Sequence, residues 1–251
     1  MAKPARAVPA PEADFPSDDP CRLGWRLRSV RLPDGRSELR EEPLTEGVVS
    51  LEVRWILPGS LDPAVAEWFA AFPSEAETRE DAYIHHPDMA GMSVKIRASQ
   101  ALQVKAFGGS PGTLRFGGRV CGRMQYWRKW TFPFRVPGPG DGDPDGWKLV
   151  RKQRRISRFP LSRGRIMQPA AGRAGEPRCA VELTAIHARH QDWWTLGLEA
   201  TGPGDRLRPV LGAAAALVFA RPLPAGADLR LQDSLSYAEW LRMPLCITPC
   251  G

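Results

Sequence analysis

The sequence predicts a mainly β fold (α+β), an antiparallel barrel or sandwich to which helices are added mainly near the C-terminus. Three observations support this prediction. Roughly eight to ten short segments alternate with period two and are separated by turn-forming residues. Helical signals are confined to one insertion and to the C-terminal part of the chain. The composition is that of an ordinary globular chain, with 43% hydrophobic and 25% charged residues among 251.

The first half of the chain contains most of the predicted strands. Residues 1–20 are rich in Pro and Ala and are expected to form a disordered arm. Strands are predicted at 22–32 and 48–57, followed by a helix that Asp62 caps and that ends before Pro73. Further strands are expected at 81–86, 92–99, 101–107 and 124–134, and the glycine-rich residues 108–118 are predicted to be a loop or hairpin.

The second half continues the pattern and then becomes helical. A flexible loop is predicted at 135–146, a basic strand at 147–159, and a hairpin at 178–188 and 192–202. Asp205 is predicted to cap a helix, and Ser236 begins a last short helix with capping-box spacing to Glu239. The expected organisation is therefore a disordered arm, a single domain over 21–245 and a tail over 246–251.

The positive charge is concentrated in one segment. The chain has 35 Lys and Arg against 28 Asp and Glu, a formal net charge of +7. Residues 148–178 contain ten Lys and Arg and a single acid, Glu176, so this segment is +9 and the rest of the chain is −2. Arg predominates among the basic residues, and its rigid donor fork suits phosphate and carboxylate groups. A polyanionic partner is therefore predicted, and nucleic acid is one candidate.

Several classes of protein are excluded by missing signals. No run approaches 18 apolar residues, and the first twenty residues have no apolar core typical of a secretory signal. The five Cys have no C-x2-C spacing, so neither a disulfide framework nor a zinc knuckle is indicated. No phosphate-binding glycine loop is present. The chain is therefore expected to be cytoplasmic, without a membrane partner.

Charged residues share one face of several predicted strands. Glu52 and Arg54 lie on the same face of their strand, opposite Leu51, Val53 and Trp55. Residues 95 and 97, and residues 103 and 105, repeat this arrangement. In a sandwich such a face would simply meet solvent, whereas in a barrel it would line the interior. Alternation alone leaves both interpretations open.

Six short motifs occur in a fixed order between residues 48 and 241. They are S-L-E-V-R at 50–54, R-E-D-A-Y-I-H-H-P-D at 79–88, V-K-I-R at 94–97, L-Q-V-K at 102–105, the strands around Glu182 and Glu199, and S-Y-A-E-W-L at 236–241. This set resembles the CYTH, or triphosphate tunnel metalloenzyme, superfamily. The segment W-W-T-L-G-L-E-A-T-G at 193–202 is similar to an uncharacterised CYTH-like branch.

The resemblance implies an eight-stranded antiparallel, tunnel-like β-barrel that is open at both ends and carries a few peripheral helices. It implies a phosphohydrolase that acts on inorganic triphosphate or a nucleoside triphosphate with Mg²⁺ or Mn²⁺. The residues matched to substrate binding are Arg54, Lys95, Arg97, Lys105, Lys129, Lys152 and Arg154. Those matched to the metal are Glu52, Glu182 and Glu199, and those matched to catalysis are Glu52, Lys95 and Arg97.

The sequence departs from the family pattern where the pattern expects acids. Ser50 stands in place of a first Glu, and Thr184 in place of a second acid beside Glu182. A serine supplies no charged metal ligand, so a binding module for polyphosphate or a phosphorylated small molecule, without catalysis, is the alternative. Structural pairing of the acids with neighbouring basic residues, and nucleic-acid binding through the basic segment, are further alternatives. In a shifted register, neighbouring Arg residues would replace Lys129 and Lys152.

Overall fold

The chain divides into two compact units, residues 1–46 and 47–251. The computed structural model describes residues 25–31, 37–43, 47–84, 86, 89, 91–133, 146–162, 165–166 and 176–243. In the first unit, β1 (Trp25–Arg31) and β2 (Ser37–Pro43) pair as an antiparallel hairpin. The predicted arm (1–20), the tail (246–251) and most of the predicted loop at 135–146 lie outside the described residues, so those predictions stay untested.

The second unit is a closed antiparallel barrel. Its strands are β3 (Val48–Pro58), β4 (Glu75–Ile84), β5 (Met92–Arg97), β6 (Ala101–Phe116), β7 (Val120–Pro133), β8 (Trp147–Ser162), β9 (Arg165–Ile166), β10 (Arg178–Ala188) and β11 (Gln191–Thr201). Eight of these follow the order β10-β11-β3-β7-β6-β5-β4-β8, and the pairing of β8 with β10 closes the ring. The two-residue β9 pairs only with the end of β8. The predicted eight-stranded barrel is therefore confirmed.

Two strands differ most in extent from their predictions. β4 begins at Glu75 rather than at residue 81, because its polar first half pairs along β8. β6 continues through the predicted loop at 108–118, with register shifts between Phe107 and Gly109 and between Gly109 and Gly112. The glycines bend the strand rather than end it, and the chain turns only at Gly117 and Gly118, where both φ angles are positive.

Three α-helices and one 3-10 helix accompany the barrel in the described part. They are α1 (Pro63–Ala70), α2 (Gly204–Phe219), the 3-10 helix Leu231–Asp233, and α3 (Tyr237–Arg242). None of them is long and apolar enough to cross a membrane. The Asp62 side chain accepts the Ala64 N–H at 2.7 Å, as predicted for a cap.

The predicted cap of α2 was wrong. Asp205 lies inside the first turn, because the helix already begins at Gly204 after Pro203. The carboxylate still lies near the positive end of the helix dipole, where a negative charge is favourable. The capping box of α3 is present as predicted, with Ser236 and Glu239 each accepting a backbone N–H of the other.

The main hydrophobic core lies outside the barrel wall. The outward side chains of β3, β10 and β11, such as Trp55 and Leu198, pack beneath α1 and α2, whose contributions include Phe69 and Leu211. Because this core covers the outer face, the opposite face of the same strands is the inside of the barrel. The polar residues of these strands are therefore directed into the interior.

The C-terminal helix α3 fills one end of the interior. Trp240 and Leu241 pack in a buried cluster with Ile56, Tyr83 and Val150, which come from three barrel strands. The resemblance implies a barrel open at both ends, but here the apolar side of α3 covers this end. The polar part of the interior therefore begins beyond that apolar cluster.

Candidate functional site

A cavity of about 130 Å³ lies inside the barrel. All ten residues selected from the sequence contribute to its wall. They are Glu52, Arg54, Lys95, Arg97, Lys105, Lys129, Lys152, Arg154, Glu182 and Glu199. The barrel thus brings together side chains from seven strands. The roles assigned to these residues in binding, catalysis and metal coordination remain predictions.

Asp81 is the buried anion around which one group of cations is arranged. Its Oδ2 atom accepts hydrogen bonds from Lys95 Nζ and Lys152 Nζ, each at 3.0 Å. Arg79 Nε lies 3.2 Å from the other carboxylate oxygen. Burial by itself raises the pKa of Asp81, but Lys95, Lys152 and Arg79 outweigh it and hold that pKa well below its usual range. One carboxylate is therefore shared by three positive charges.

Two stacked tyrosines extend this group. The rings of Tyr83 and Tyr237 lie 5.6 Å apart, and Lys152 Nζ lies 3.9 Å from the centre of the Tyr237 ring. Lys152 also donates a 2.6 Å hydrogen bond to the Tyr83 hydroxyl. Burial lowers the pKa of Lys152 to about 8, with Arg79 acting in the same direction and Asp81 against it. Burial and Lys152 also hold the pKa of Lys95 well below its ordinary value.

Glu182 is held by two guanidinium groups. Arg54 Nη1 lies 3.3 Å from Oε1 of Glu182, and Arg154 donates a very short hydrogen bond to Oε2. The Thr184 hydroxyl donates a third bond at 2.9 Å. Burial raises the pKa of Glu182, but Arg54 and Arg154 outweigh burial and leave it well below its ordinary value. Glu182 is therefore an ionised carboxylate that is already well supplied with donors.

Glu52 and Glu199 face each other across β3 and β11. They are register partners, so their side chains project from the same face of the sheet. Lys105 Nζ donates to Glu52 at 2.6 Å and lies 3.8 Å from Glu199, and Lys129 Nζ donates to Glu199 at 3.4 Å. Lys105, acting against burial, lowers the pKa of Glu199 to about 2. The buried Ser50 hydroxyl donates to Glu52 at 2.7 Å.

Arg97 is the most accessible of the predicted cations that have an ion pair. It lies 3.3 Å from Glu77, and its side chain is 42% exposed. Glu77 also accepts a 2.5 Å bond from Arg154 and two 3.2 Å bonds from Arg79. This acid therefore links the cations of three strands.

Positive charge exceeds negative charge around the cavity. Eight Lys and Arg line it, against the three glutamates. Asp81 and Glu77 also bind these cations and raise the acids to five, which leaves a formal excess of three positive charges when every Lys and Arg is protonated. Within the described residues, Arg154 Nε is a buried donor with no hydrogen-bond acceptor. Such a site favours a ligand that brings several anionic oxygens.

A divalent cation fits the carboxylate pair of Glu52 and Glu199 better than Glu182. Mg²⁺ is commonly held by one or two carboxylates together with phosphate oxygens and water. No group of three His, Cys, Asp or Glu side chains with metal-binding geometry occurs in the described ranges. Ser50 adds no charge, and Glu182 is bound by two Arg. The residues therefore suit a single ion that shares its coordination with a ligand.

Nine of the residues that line the cavity were not among those selected from the sequence. Arg79 and Tyr83 on β4, and Gln125 and Trp127 on β7, line the cavity. For the two β4 residues, the alternation of Arg79, Asp81 and Tyr83 within R-E-D-A-Y was the sequence feature that could have identified them. Ser236 and Tyr237 reach the cavity only because α3 enters the barrel, which no local pattern indicates.

No family model and no curated protein sequence matches the chain. Similar solved structures exist. One is a conserved hypothetical protein from Pyrococcus furiosus, 14% identical, with a TM-score of 0.37 and coverage of 75% of this chain and 98% of that chain. Another is the Pct1 RNA triphosphatase of S. pombe, 10% identical, with a TM-score of 0.36 and coverage of 72% and 80%.

The same triphosphatase in complex with the Spt5 CTD is 9% identical, with a TM-score of 0.33 and coverage of 71% of this chain and 82% of that chain. An RNA triphosphatase is thus among the structures similar to this chain. At TM-scores below 0.5, these similarities do not decide the function of this chain.

Proposed function

We propose that the barrel binds a linear triphosphate in its cavity and hydrolyses it with one divalent cation, Mg²⁺ or Mn²⁺. The observation that carries the proposal is the excess of three positive charges around a cavity inside the barrel. Unpaired charges are costly where water is scarce, and a polyanion would offset that cost. Five acids hold the eight cations in place without neutralising them all.

The proposed phosphate ligands form two groups in the cavity wall. Lys95 and Lys152 meet at Asp81, and Lys105 and Lys129 meet at Glu199, so the two groups would contact different phosphoryl groups. Arg154 has an Nε–H without an acceptor in the described part of the chain, and a phosphate oxygen would supply one. Held on strands, these side chains lose little further freedom on binding, which favours affinity.

Glu52 and Glu199 would hold the divalent cation. When bound, such an ion neutralises phosphoryl oxygens and makes a water molecule more acidic. Lys95 and Arg97 would stabilise the charge that develops on the transferred phosphoryl group. Glu52 is oriented for this role by hydrogen bonds from Ser50 and Lys105.

Binding without catalysis is the second candidate. Ser50 favours it, because this position supplies a hydroxyl instead of a carboxylate and so lowers the negative charge available to a divalent cation. The ion pairs of Glu182 with Arg54 and Arg154 also favour binding without catalysis, because they leave this carboxylate less available to a metal ion. The chain would then be a receptor for polyphosphate or a phosphorylated small molecule.

Phosphate release from tripolyphosphate and from ATP, measured with Mg²⁺ and with Mn²⁺, tests the proposal. We expect Glu52→Gln and Arg97→Ala to lower the rate by about 10² or more, the size of effect seen when one stabilising group is removed. Arg155→Ala, which changes an exposed residue of β8, is the matched control and should leave the rate unchanged. Unchanged rates in both cavity variants would rule out catalysis in this cavity. Tight binding without release would establish the second candidate instead.

A further inference from the structure

One part of the cavity wall is aromatic. Trp127 on β7 lines the cavity, and only 4% of its surface is exposed. Its register partner on β3 is Ser50, and its partner on β6 is Phe107. Neither the phosphate ligands nor the carboxylate pair described above gives this indole a role.

Ser50 is a small residue that lies directly beside the indole in the barrel wall. Register partners on one face have Cβ atoms about 5 Å apart, so a residue at position 50 lies directly beside Trp127. Ser50 is buried, and its hydroxyl is directed to Glu52. Where the family pattern expects a carboxylate, this chain therefore presents the indole and a short hydroxyl.

Phe107 extends the aromatic surface from Trp127 toward solvent. Its ring meets Trp127 edge to face, with ring centres 5.4 Å apart. Although it is large and apolar, Phe107 is 42% exposed and belongs to neither hydrophobic cluster of the described residues. The strand shifts register immediately after it, which separates this ring from the regular wall. Phe107 therefore offers an accessible ring beside Trp127.

The aromatic pair adjoins the phosphate-binding part of the cavity. Phe107 and Trp127 form one cross-strand row, and Lys105 and Lys129 form the next row on the same face of the same strands. A ligand whose phosphates contact this lysine pair would therefore bring its next chemical group beside the two rings.

We infer that Trp127 and Phe107 form a subsite for the planar ring of an organic triphosphate, so that the ligand is a nucleoside triphosphate rather than inorganic triphosphate. This inference rests on the proposed binding of a triphosphate in the cavity. Aromatic side chains stack on any base, because every base has a π-face. The subsite thus selects for the presence of a ring and tolerates different bases.

Calorimetric titrations without divalent cation, so that no turnover occurs, test the inference. ATP and UTP are compared with methyl triphosphate, which carries the same ester and charge but no ring. We expect both nucleotides to bind about 5- to 100-fold more tightly than methyl triphosphate, the range that base stacking supports. Trp127→Leu and Phe107→Ala should bring this ratio close to one while affinity for methyl triphosphate changes little.

Trp130→Leu is the matched control, because Trp130 lies on the opposite face of the same strand from Trp127, and it should keep the wild-type ratio. Phe107→Ala removes an exposed ring, so it keeps the test decisive if Trp127→Leu fails to fold. Equal affinities for all three ligands in the wild type, or an unchanged ratio in Phe107→Ala, would overturn the subsite while the proposed function stands. Failure of all three ligands to bind would overturn the proposed function itself.

Discussion

Asp81 acquires its buried position and its lysine partners only when the barrel closes. The sequence predicts a strand that begins at Asp81; the structure extends it back through Arg79, so Arg79, Asp81 and Tyr83 share one face. A charged face of that kind is equally typical of a solvated strand. Asp81 becomes fully buried because β5 and β8 bring Lys95 and Lys152 to it from both sides. Its burial therefore depends on pairings between distant parts of the chain.

We predict that Asp81→Asn lowers the free energy of unfolding by about 3–5 kcal/mol, because it leaves three buried cations without their shared anion. Urea denaturation measures this change. Glu80→Gln is the control, since Glu80 is the next residue on the opposite, exposed face and pairs with an exposed Arg151. Tripolyphosphate should restore part of the lost stability. A loss no larger than that of Glu80→Gln would contradict this account of the cation cluster.

We also predict that titration of Lys152 makes the binding of tripolyphosphate depend on pH. The pKa of its ammonium group is lowered to about 8, so the group loses its charge as the pH rises through that value. A polyanion binds the protonated form better, and affinity for tripolyphosphate should therefore fall between pH 7 and pH 9. Calorimetry at both pH values measures the change. Lys152→Arg keeps its charge, so its affinity should fall less, and the comparison cancels titration of the ligand. Equal pH dependence in both proteins would contradict the prediction.

At the scale of elements, period-two alternation predicted the inward faces of the strands well. The ten selected residues all line one cavity, because the strands keep their alternation where these residues lie. The extents of β4 and β6 were harder to predict. Residues 75–80 are polar and gain their strand structure from pairing with β8, and the glycines after Phe107 bend a strand that a local pattern would end.

Strand β8 offers a direct test of the inward and outward faces. Arg154 lines the cavity, whereas Arg155 is exposed on the other face. We expect Arg154→Gln to weaken tripolyphosphate binding by about tenfold or more, the loss typical of a charge-assisted contact of 1.5–3 kcal/mol. Arg155→Gln should leave it unchanged.

Oligonucleotide binding tests the remaining alternative, which is a nucleic-acid interface on the outer face of the barrel. A nucleic-acid interface on the outer face would weaken with Arg155→Gln and with added salt, and it would tolerate Arg154→Gln. That result, together with no effect of either variant on tripolyphosphate, would contradict a polyanion site inside the barrel.

At the scale of the whole molecule, the net charge of +7 says little about where the partner binds. The described basic residues of the 148–178 segment divide between the inside and the outside of the barrel, with Lys152 and Arg154 in the wall and Arg151 and Arg155 exposed. Only the closing pair of β8 and β10 converts the charged strand faces into an enclosed site. Such closure joins distant segments, so the sequence predicts it through the order of its motifs rather than through any single motif.

A crystal structure of the protein with tripolyphosphate tests the central claim most directly. The account predicts phosphate oxygens inside the barrel, within hydrogen-bond distance of Lys95, Lys105 and Arg154. Phosphate bound only to the outer face of β8, beside Arg151 and Arg155, or an interior that contains water alone at saturating tripolyphosphate, would contradict it.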